Sequence, residues 1–364
     1  MYLERLNRLT QQMTKHAIAN VLITDPSSIS YFLPYHTHPG ERLFVLHVTQ
    51  AGPHRLYLNQ LFPVAVLPPE LQACVAITTY KDGEAVLETM SRHLLPGKTA
   101  IDKFWSSHFL LDLMTIQPSL QPINHSLVDD LRAIKSPEEQ ALMRQASHLN
   151  DQAMQALIDL VPQRLSEQQM VDALKQIYQR LGADGGFSFE PIVAYGANGA
   201  DPHHETSNDV VQVGEAIVLD IGCVHQGYCS DMTRTVFYGT PDSESLHVYD
   251  LVRRANEAAI QCVRPGVTIA DIDRAARQII EAAGYGDYFT HRTGHFIGRE
   301  VHEAGDVSSF NQATAQVGQI FSIEPGIYLP GRIGVRIEDL VLVTEDGCEV
   351  LNHVSKAPLM IEAE

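Results

Sequence analysis

Apolar residues recur along this chain at two periods, and the switches between them mark out its parts. Leu3, Leu6, Leu9 and Met13 stand at helical spacing among polar neighbours, and the short apolar run Val21-Leu22-Ile23-Thr24 is stopped by Asp25-Pro26. A helix over 3–18 followed by a strand is the plain expectation. Strand-like runs follow at 43–49, 55–58 and 75–80, separated by turn clusters and by helical patterns near 84–95 and 105–116. Together they predict a mixed α/β domain over residues 1–126. Its most irregular piece, residues 35–42, reads either as a solvated turn or as a loop that reaches substrate in its own or a partner subunit.

The pattern is interrupted near 125–136. Ser136 then stands as an N-cap, with Pro137 at the first helical position and Glu139 three residues after the cap. This capping box predicts a long helix that opens a second domain, 127–364. Sliding that domain over itself by 102 residues superposes Ala153, Ala156, Ile158 and Val161 on Ala255, Ala258, Ile260 and Val263. Further on, Ser166, Gln176, Ile177 and Gly182 fall on Thr268, Gln278, Ile279 and Gly284. At an offset of 104, Val213-Gly214 with Asp220 and Gly222 matches Val317-Gly318 with Glu324 and Gly326. The inference is a duplicated α+β unit about a pseudo-twofold axis, with Asp220 and Glu324 in equivalent places.

Each copy carries a second acid. The run ending at Asp220 leads through glycines to a strand beginning at Ser230-Asp231, and the run ending at Glu324 leads through Gly326, Gly331 and Gly334 to Val335-Arg336-Ile337-Glu338-Asp339. Strand, turn and strand bring the acids of each pair onto one face of an antiparallel ladder. A single Asp at a strand end is ordinarily a turn former. Four carboxylates converging on one axis are different, because they raise one another's pKa unless cations neutralise them. The histidine-rich stretch His291-Arg292-Thr293-Gly294-His295, with His302 seven residues past His295, lies between the two halves of this acid set. Carboxylates with an imidazole suit two divalent ions, manganese, zinc, cobalt or iron, which would clamp a bridging water or hydroxide.

Bulk composition agrees with this and excludes other classes. The chain has 364 residues, 45% of them hydrophobic, enough for two domains with sizeable cores. Its formal net charge of -18 argues against nucleic acid or an anionic membrane as the main partner. Five scattered cysteines with no CxxC pair, and no apolar run long enough to span a bilayer, predict a cytoplasmic protein with reduced thiols.

With these residues in view, the chain resembles the pita-bread metallopeptidases, the group of methionine aminopeptidases, aminopeptidase P, prolidases and creatinase. Within that group it is most similar to bacterial Xaa-Pro dipeptidases. The resemblance implies an α+β fold, with a pita-bread catalytic domain behind a creatinase-type N-terminal domain, and hydrolysis of Xaa-Pro dipeptides. It implies that Asp220, Asp231, His295, Glu324 and Glu338 hold two metal ions, manganese first among those accepted, with Asp231 and Glu338 bridging. His203 and His302 would then orient substrate and stabilise the tetrahedral intermediate, Glu324 would shuttle the proton, and Arg336, on the same strand face as Glu338, would hydrogen-bond the carboxylates. His291, Arg292 and His38 would meet the substrate, and the protein would be a homodimer. Two alternatives stay open: an Xaa-Pro aminopeptidase acting on longer peptides, and a non-catalytic interaction module of the same fold. The sequence departs from the pattern at His38, where relatives carry an acid; at Gly305, where many carry Pro; and at Phe296, which replaces a common Gly and is expected to narrow the pocket.

Overall fold

A computed structural model describes residues 1–64 and 66–363 and divides the chain into two compact units, Met1–Leu131 and Arg132–Glu364. In the first, helix α1 (Tyr2–Lys15) buries Leu6, Leu9 and Met13. It ends earlier than the periodicity predicts because Ala17 adopts left-handed backbone, φ 54, and turns the chain into β1 (Ile18–Ile23). The remaining strands of this unit are β2 (Val45–Thr49), β3 (His54–Asn59), β4 (Val75–Tyr80), β5 (Lys98–Ile101) and β6 (Gln121–Asn124). They join β1 in one sheet of order β4-β3-β2-β1-β5-β6. Helices α2 (Pro26–Phe32), α3 (Pro69–Gln72), α4 (Val86–Ser91) and α5 (Ser107–Ile116) fill the connections.

After α6 (Leu127–Ala133), the second unit opens on α7 (Pro137–Ile158). The expected capping box is present: Glu139 N–H donates to Ser136 Oγ, and Ser136 N–H donates to Glu139 Oε2 at 2.9 Å. Helix α8 (Glu167–Leu181) begins with a second such box at Ser166 and Gln169 and ends on Gly182 at φ 84. Strands β7 (Ile192–Tyr195), β8 (Ala216–Ile221), β9 (Val224–His225), β10 (Tyr228–Cys229) and β11 (Met232–Tyr238) complete the first copy of the repeat.

The second copy reuses the plan. Thr268 caps α10 (Ile269–Ala282), which packs on α9 (Ser243–Cys262). The short strands β12 (Gly294–His295) and β13 (Asp306–Val307) precede β14 (Ile320–Ile323), a hairpin of β15 (Gly326–Leu329) and β16 (Ile333–Arg336), and then β17 (Asp339–Val343). The edge strands β18 (Cys348–Val350) and β19 (Met360–Ile361) follow. Equivalent bonds recur: Asn150 Nδ2 donates to Ile221 O in the first copy, and Asn256 Nδ2 donates to Ile323 O in the second, both at 2.9 Å. Gly214 N–H donates to Tyr238 O, and Gly318 N–H donates to Val343 O.

The sequence pattern ran β16 straight on into Glu338. In the structure the chain turns at Ile337 and Glu338, so Arg336 closes the hairpin while β17 starts at Asp339. In both copies the second acid therefore sits just before its strand, Asp231 ahead of β11 and Glu338 ahead of β17. The copies meet there, with Glu338 N–H donating to Thr233 O at 3.1 Å. Beneath the seam, buried Arg234 donates to the carbonyls of Thr233 and Glu338 and pairs with Asp339 at 2.7 Å; Asp339 also accepts from Lys356 Nζ at 2.7 Å. Removing one partner of such a buried pair costs roughly 3–5 kcal/mol, because the other charge is left uncompensated.

Candidate metal centre

The register of β8 against β11 sets Asp220 opposite Thr233, so Asp231, two residues before Thr233, shares its face. On the other copy Ile323 pairs with Asp339, which puts Glu324 and Glu338 side by side at the ladder's end. His295 comes in on β12. Gly294 before it is required, because a Cβ there would collide with the carbonyl of Ser322. The backbone N–H of His295 donates to Ser322 Oγ at 2.9 Å, and that hydroxyl donates to Glu324 Oε1 at 3.2 Å.

Ligand atoms of Asp231, His295 and Glu338 all lie within 4.8 Å of one another. His295 Nε2 is 3.5 Å from Asp231 Oδ2 and 3.4 Å from Glu324 Oε1, while its Nδ1 faces Phe296 O at 3.4 Å. With Nδ1 carrying the proton toward that carbonyl, Nε2 turns its lone pair on the acids. Two buried carboxylate oxygens, Asp220 Oδ1 and Glu338 Oε1, have no hydrogen-bond partner among the described residues. Lone pairs aimed inward with nothing to accept from are what a cation site requires, and the donor set fits divalent ions.

Electrostatics point the same way. Burial, and after it the charges of Asp220 and Glu324, push Asp231 well above the usual carboxylate range. Glu338 is driven up likewise, by burial and then by Asp231. Burial raises Asp220 too, although Arg336 opposes it. Glu324 alone moves down: burial lifts it, but His295, His291 and Arg336 together outweigh that. Its side chain is also the most open of the set, 16% exposed against 12% for Asp220 and 5% for Asp231.

These residues floor a cavity of about 580 Å³ whose walls include His203, His302, His291, Arg292 and Arg336. Arg336 donates to Asp220 Oδ2 at 2.6 Å, to Thr233 Oγ1 at 3.1 Å and to the Tyr328 hydroxyl at 2.8 Å. Thr233 Oγ1 in turn donates to Glu338 Oε2 at 2.8 Å. One guanidinium thus ties acids of both copies, though from β16 and not from the strand face of Glu338. His291 is pinned, its Nδ1 donating to Arg292 O at 2.7 Å and its Nε2 accepting from Tyr328 at 2.8 Å. The His302 ring stands 4.2 Å from that of His295; loss of water within the cleft, then His295 and Arg292, lower its pKa to about 4. His38 belongs to the first unit, where it is exposed and meets His36 edge to face.

Phe296 does not narrow the cavity. It is 5% exposed and packs against Phe321 in the core, with Gly305 beneath its ring: a Cβ on Gly305 would lie 2.7 Å from it. Two of the three departures from the family pattern are thus neighbours, the bulky residue filling space that Gly305 leaves.

Residues 141–345 match the model of metallopeptidase family M24, and residues 5–134 match the creatinase/prolidase N-terminal domain. The chain belongs to family M24. This M24 chain is 35% identical over 354 residues to an uncharacterized peptidase of Staphylococcus saprophyticus, covering 97% of this chain and all of that one. Among solved structures it resembles a dipeptidase from Pyrococcus horikoshii, with 31% identity, a TM-score of 0.88, and 98% and 100% of the two chains covered. It likewise resembles a prolidase from Thermococcus sibiricus, with 30% identity, a TM-score of 0.90 and 99% of each chain covered. The pita-bread fold that the resemblance implies is that of this family, and the protein is a metallopeptidase.

Several residues that hold the centre carry little local signal in the sequence. Tyr328 sits within an apolar strand, and its hydroxyl was the one cue to a polar role. Glu303, next to His302, is bound by Arg132 at 2.7 Å and Lys135 at 3.0 Å, partners 171 and 168 residues away that no local pattern connects. Gly298 is explained by the same carboxylate, since a Cβ there would lie 2.7 Å from its oxygens.

Proposed function

We propose that this protein hydrolyses Xaa-Pro dipeptides at a dinuclear metal centre held by Asp220, Asp231, His295, Glu324 and Glu338. The observation that carries the reading is the convergence of Asp231, His295 and Glu338, ligand atoms within 4.8 Å, on the floor of a cavity that also holds His203, His302 and Arg292. The names dipeptidase and prolidase borne by its structural relatives support the substrate class. Two divalent ions bound there, manganese in the first instance, would supply an activated water and polarise the scissile carbonyl.

The chain's own residues do the rest. Glu324, its pKa lowered and its side chain the most open of the acids, is a carboxylate at neutral pH and can take the proton of the attacking water. It then delivers that proton to the proline nitrogen, which lacks an N–H and leaves only once protonated. His302, neutral at the same pH, donates a hydrogen bond to the oxygen on which charge develops, as does His203, which lines the same cavity. Arg292 offers its cation to the free carboxylate of proline, His291 stiffens the wall beside it, and His38 bears on the choice of the first residue. The same reading makes the protein a cytoplasmic homodimer.

Comparing turnover of Ala-Pro with that of Ala-Pro-Ala, each with manganese, cobalt and zinc, tests the proposal. It expects metal-dependent cleavage of the dipeptide in preference to the tripeptide. The reverse preference would make the protein an Xaa-Pro aminopeptidase, and no cleavage of either with any metal would refute it.

A further inference from the structure

His203 reaches the cavity on an exposed segment, and among the described residues no side-chain hydrogen bond holds its ring. Only its backbone N–H is fixed nearby, donating to Asp201 Oδ1 at 2.9 Å. The geometry of the ring is therefore set by the segment that carries it, residues 196–209. That segment closes on a single buried group, the carboxylate of Glu167 at the first turn of α8, which is 0% exposed.

Four donors meet its two oxygens. Oε1 accepts from Tyr195 N–H at 2.8 Å and from Asn198 Nδ2 at 2.9 Å; Oε2 accepts from His204 Nε2 and from Ser207 N–H, both at 2.8 Å. The donors come from both ends of the segment and from the residue next to His203. The helix terminus adds two bonds in the opposite sense, Glu167 N–H to Asp209 O at 3.1 Å and Gln168 N–H to Ser207 O at 3.0 Å. At its other flank the segment leans on β16, where Gly334 lacks the Cβ that would strike Gly199. Burial would raise the carboxyl, but Asn198, His204, Ser207 and Tyr195 together hold it below the usual range, so it stays charged.

We propose that Glu167 is the positioning residue for His203, fixing through the bonded segment 196–209 the placement of a histidine it does not touch. The proposal rests on the catalytic reading of His203 given above. Only a carboxylate offers acceptors at both ends. An amide at residue 167 would turn an NH2 group toward two existing donors, so Glu167→Gln breaks two of the four bonds while keeping size and shape. A displacement of about 1 Å at a catalytic group costs on the order of 10²-fold in rate.

The test uses the metal-loaded full chain in four forms: wild type, Glu167→Gln, His203→Ala and the double variant. Glu167→Gln is expected to lower kcat about 10- to 100-fold with KM and metal content near those of wild type. In the His203→Ala background the same change is expected to cost almost nothing more, because the group it positions is gone. An unchanged kcat, or a loss that repeats in full without His203, overturns the proposal. A second arm needs no activity: hydrogen exchange of the metal-free protein should accelerate over 196–209 and stay unchanged over β8 and β11. Equal acceleration in those strands would mark Glu167 as a general stabiliser and refute the assignment. If Glu167→Gln fails to fold, His204→Phe, which keeps a ring and removes one donor, serves in both arms with smaller effects in the same direction. Should wild type cleave no Xaa-Pro peptide, the functional reading falls, while the exchange arm still decides whether Glu167 orders the segment.

Discussion

In the first half of the second unit, Asp220 and Asp231 share a face of β8 and β11; in the second half, Glu324 and Glu338 hold the matching places at β14 and β17. The acids are duplicated, but the nitrogen-bearing side chains around them are not. Arg336 on Asp220, His295 near Asp231 and Glu324, and His291 behind the wall all come from the second copy. Among the described residues that line the cavity, the first copy adds to these only the exposed His203. Duplication thus explains where the carboxylates stand, and the segment around His291–Phe296, together with Arg336, explains why they are unequal. Asp220 already has a full positive charge at 2.6 Å, whereas Asp231 and Glu338 carry the strongest upward pKa shifts of the set. The first ion to bind should therefore settle among Asp231, His295 and Glu338.

Asp231→Asn breaks the comparison most severely. Hydrolysis should fall to assay background at any metal concentration, while the metal-free protein melts no lower than wild type, since the variant removes a carboxyl group whose ionisation burial and neighbouring acids already oppose. Near-normal turnover after metal is resupplied would refute the assignment. Next comes His302→Ala, expected to lower kcat about 10²- to 10³-fold with metal content unchanged by elemental analysis. Loss of metal would place His302 among the ligands.

Arg336→Lys sharpens the contrast between halves. An ammonium cannot keep the fork to Asp220, Thr233 and Tyr328 together, so metal affinity measured by competitive chelation should weaken about 10- to 100-fold. An unchanged affinity would mean that Arg336 does not set the difference between the sites.

The smallest effect concerns acid stability. Burial would raise Glu303, but Lys135 and Arg132 bring it from 4.5 to about 2. A folded value below the unfolded one gives stability that is full above about pH 4.5 and lost as pH falls toward 2, worth roughly 3 kcal/mol. Glu303→Gln should lower the urea midpoint at pH 7 and flatten its dependence between those pH values. Parallel profiles for the two proteins would contradict this.

How much of this the sequence disclosed follows from distance along the chain. Ser136 and Ser166 announce their helices because a capping box spans four residues, and the four acids stand out because duplication repeats them in the same order at similar spacing. Arg336 falls on β16 and not on a strand with Glu338, a difference the pattern hides because nothing local distinguishes a hairpin at 326–336 from a longer strand. The substitution pattern points Phe296 to the pocket, whereas the space it fills is created by Gly305, nine residues on. Glu167 and Glu303 stayed silent because each meets its partners only in the folded chain.

The central claim is that the two halves build one centre for two ions and that both ions are needed for hydrolysis. Ala-Pro turnover followed while manganese is titrated into the metal-free protein tests this most directly. The account predicts a rise that is complete at two equivalents per chain, with the first equivalent bound more tightly and giving little activity; full turnover at one equivalent, or without added metal, would contradict it.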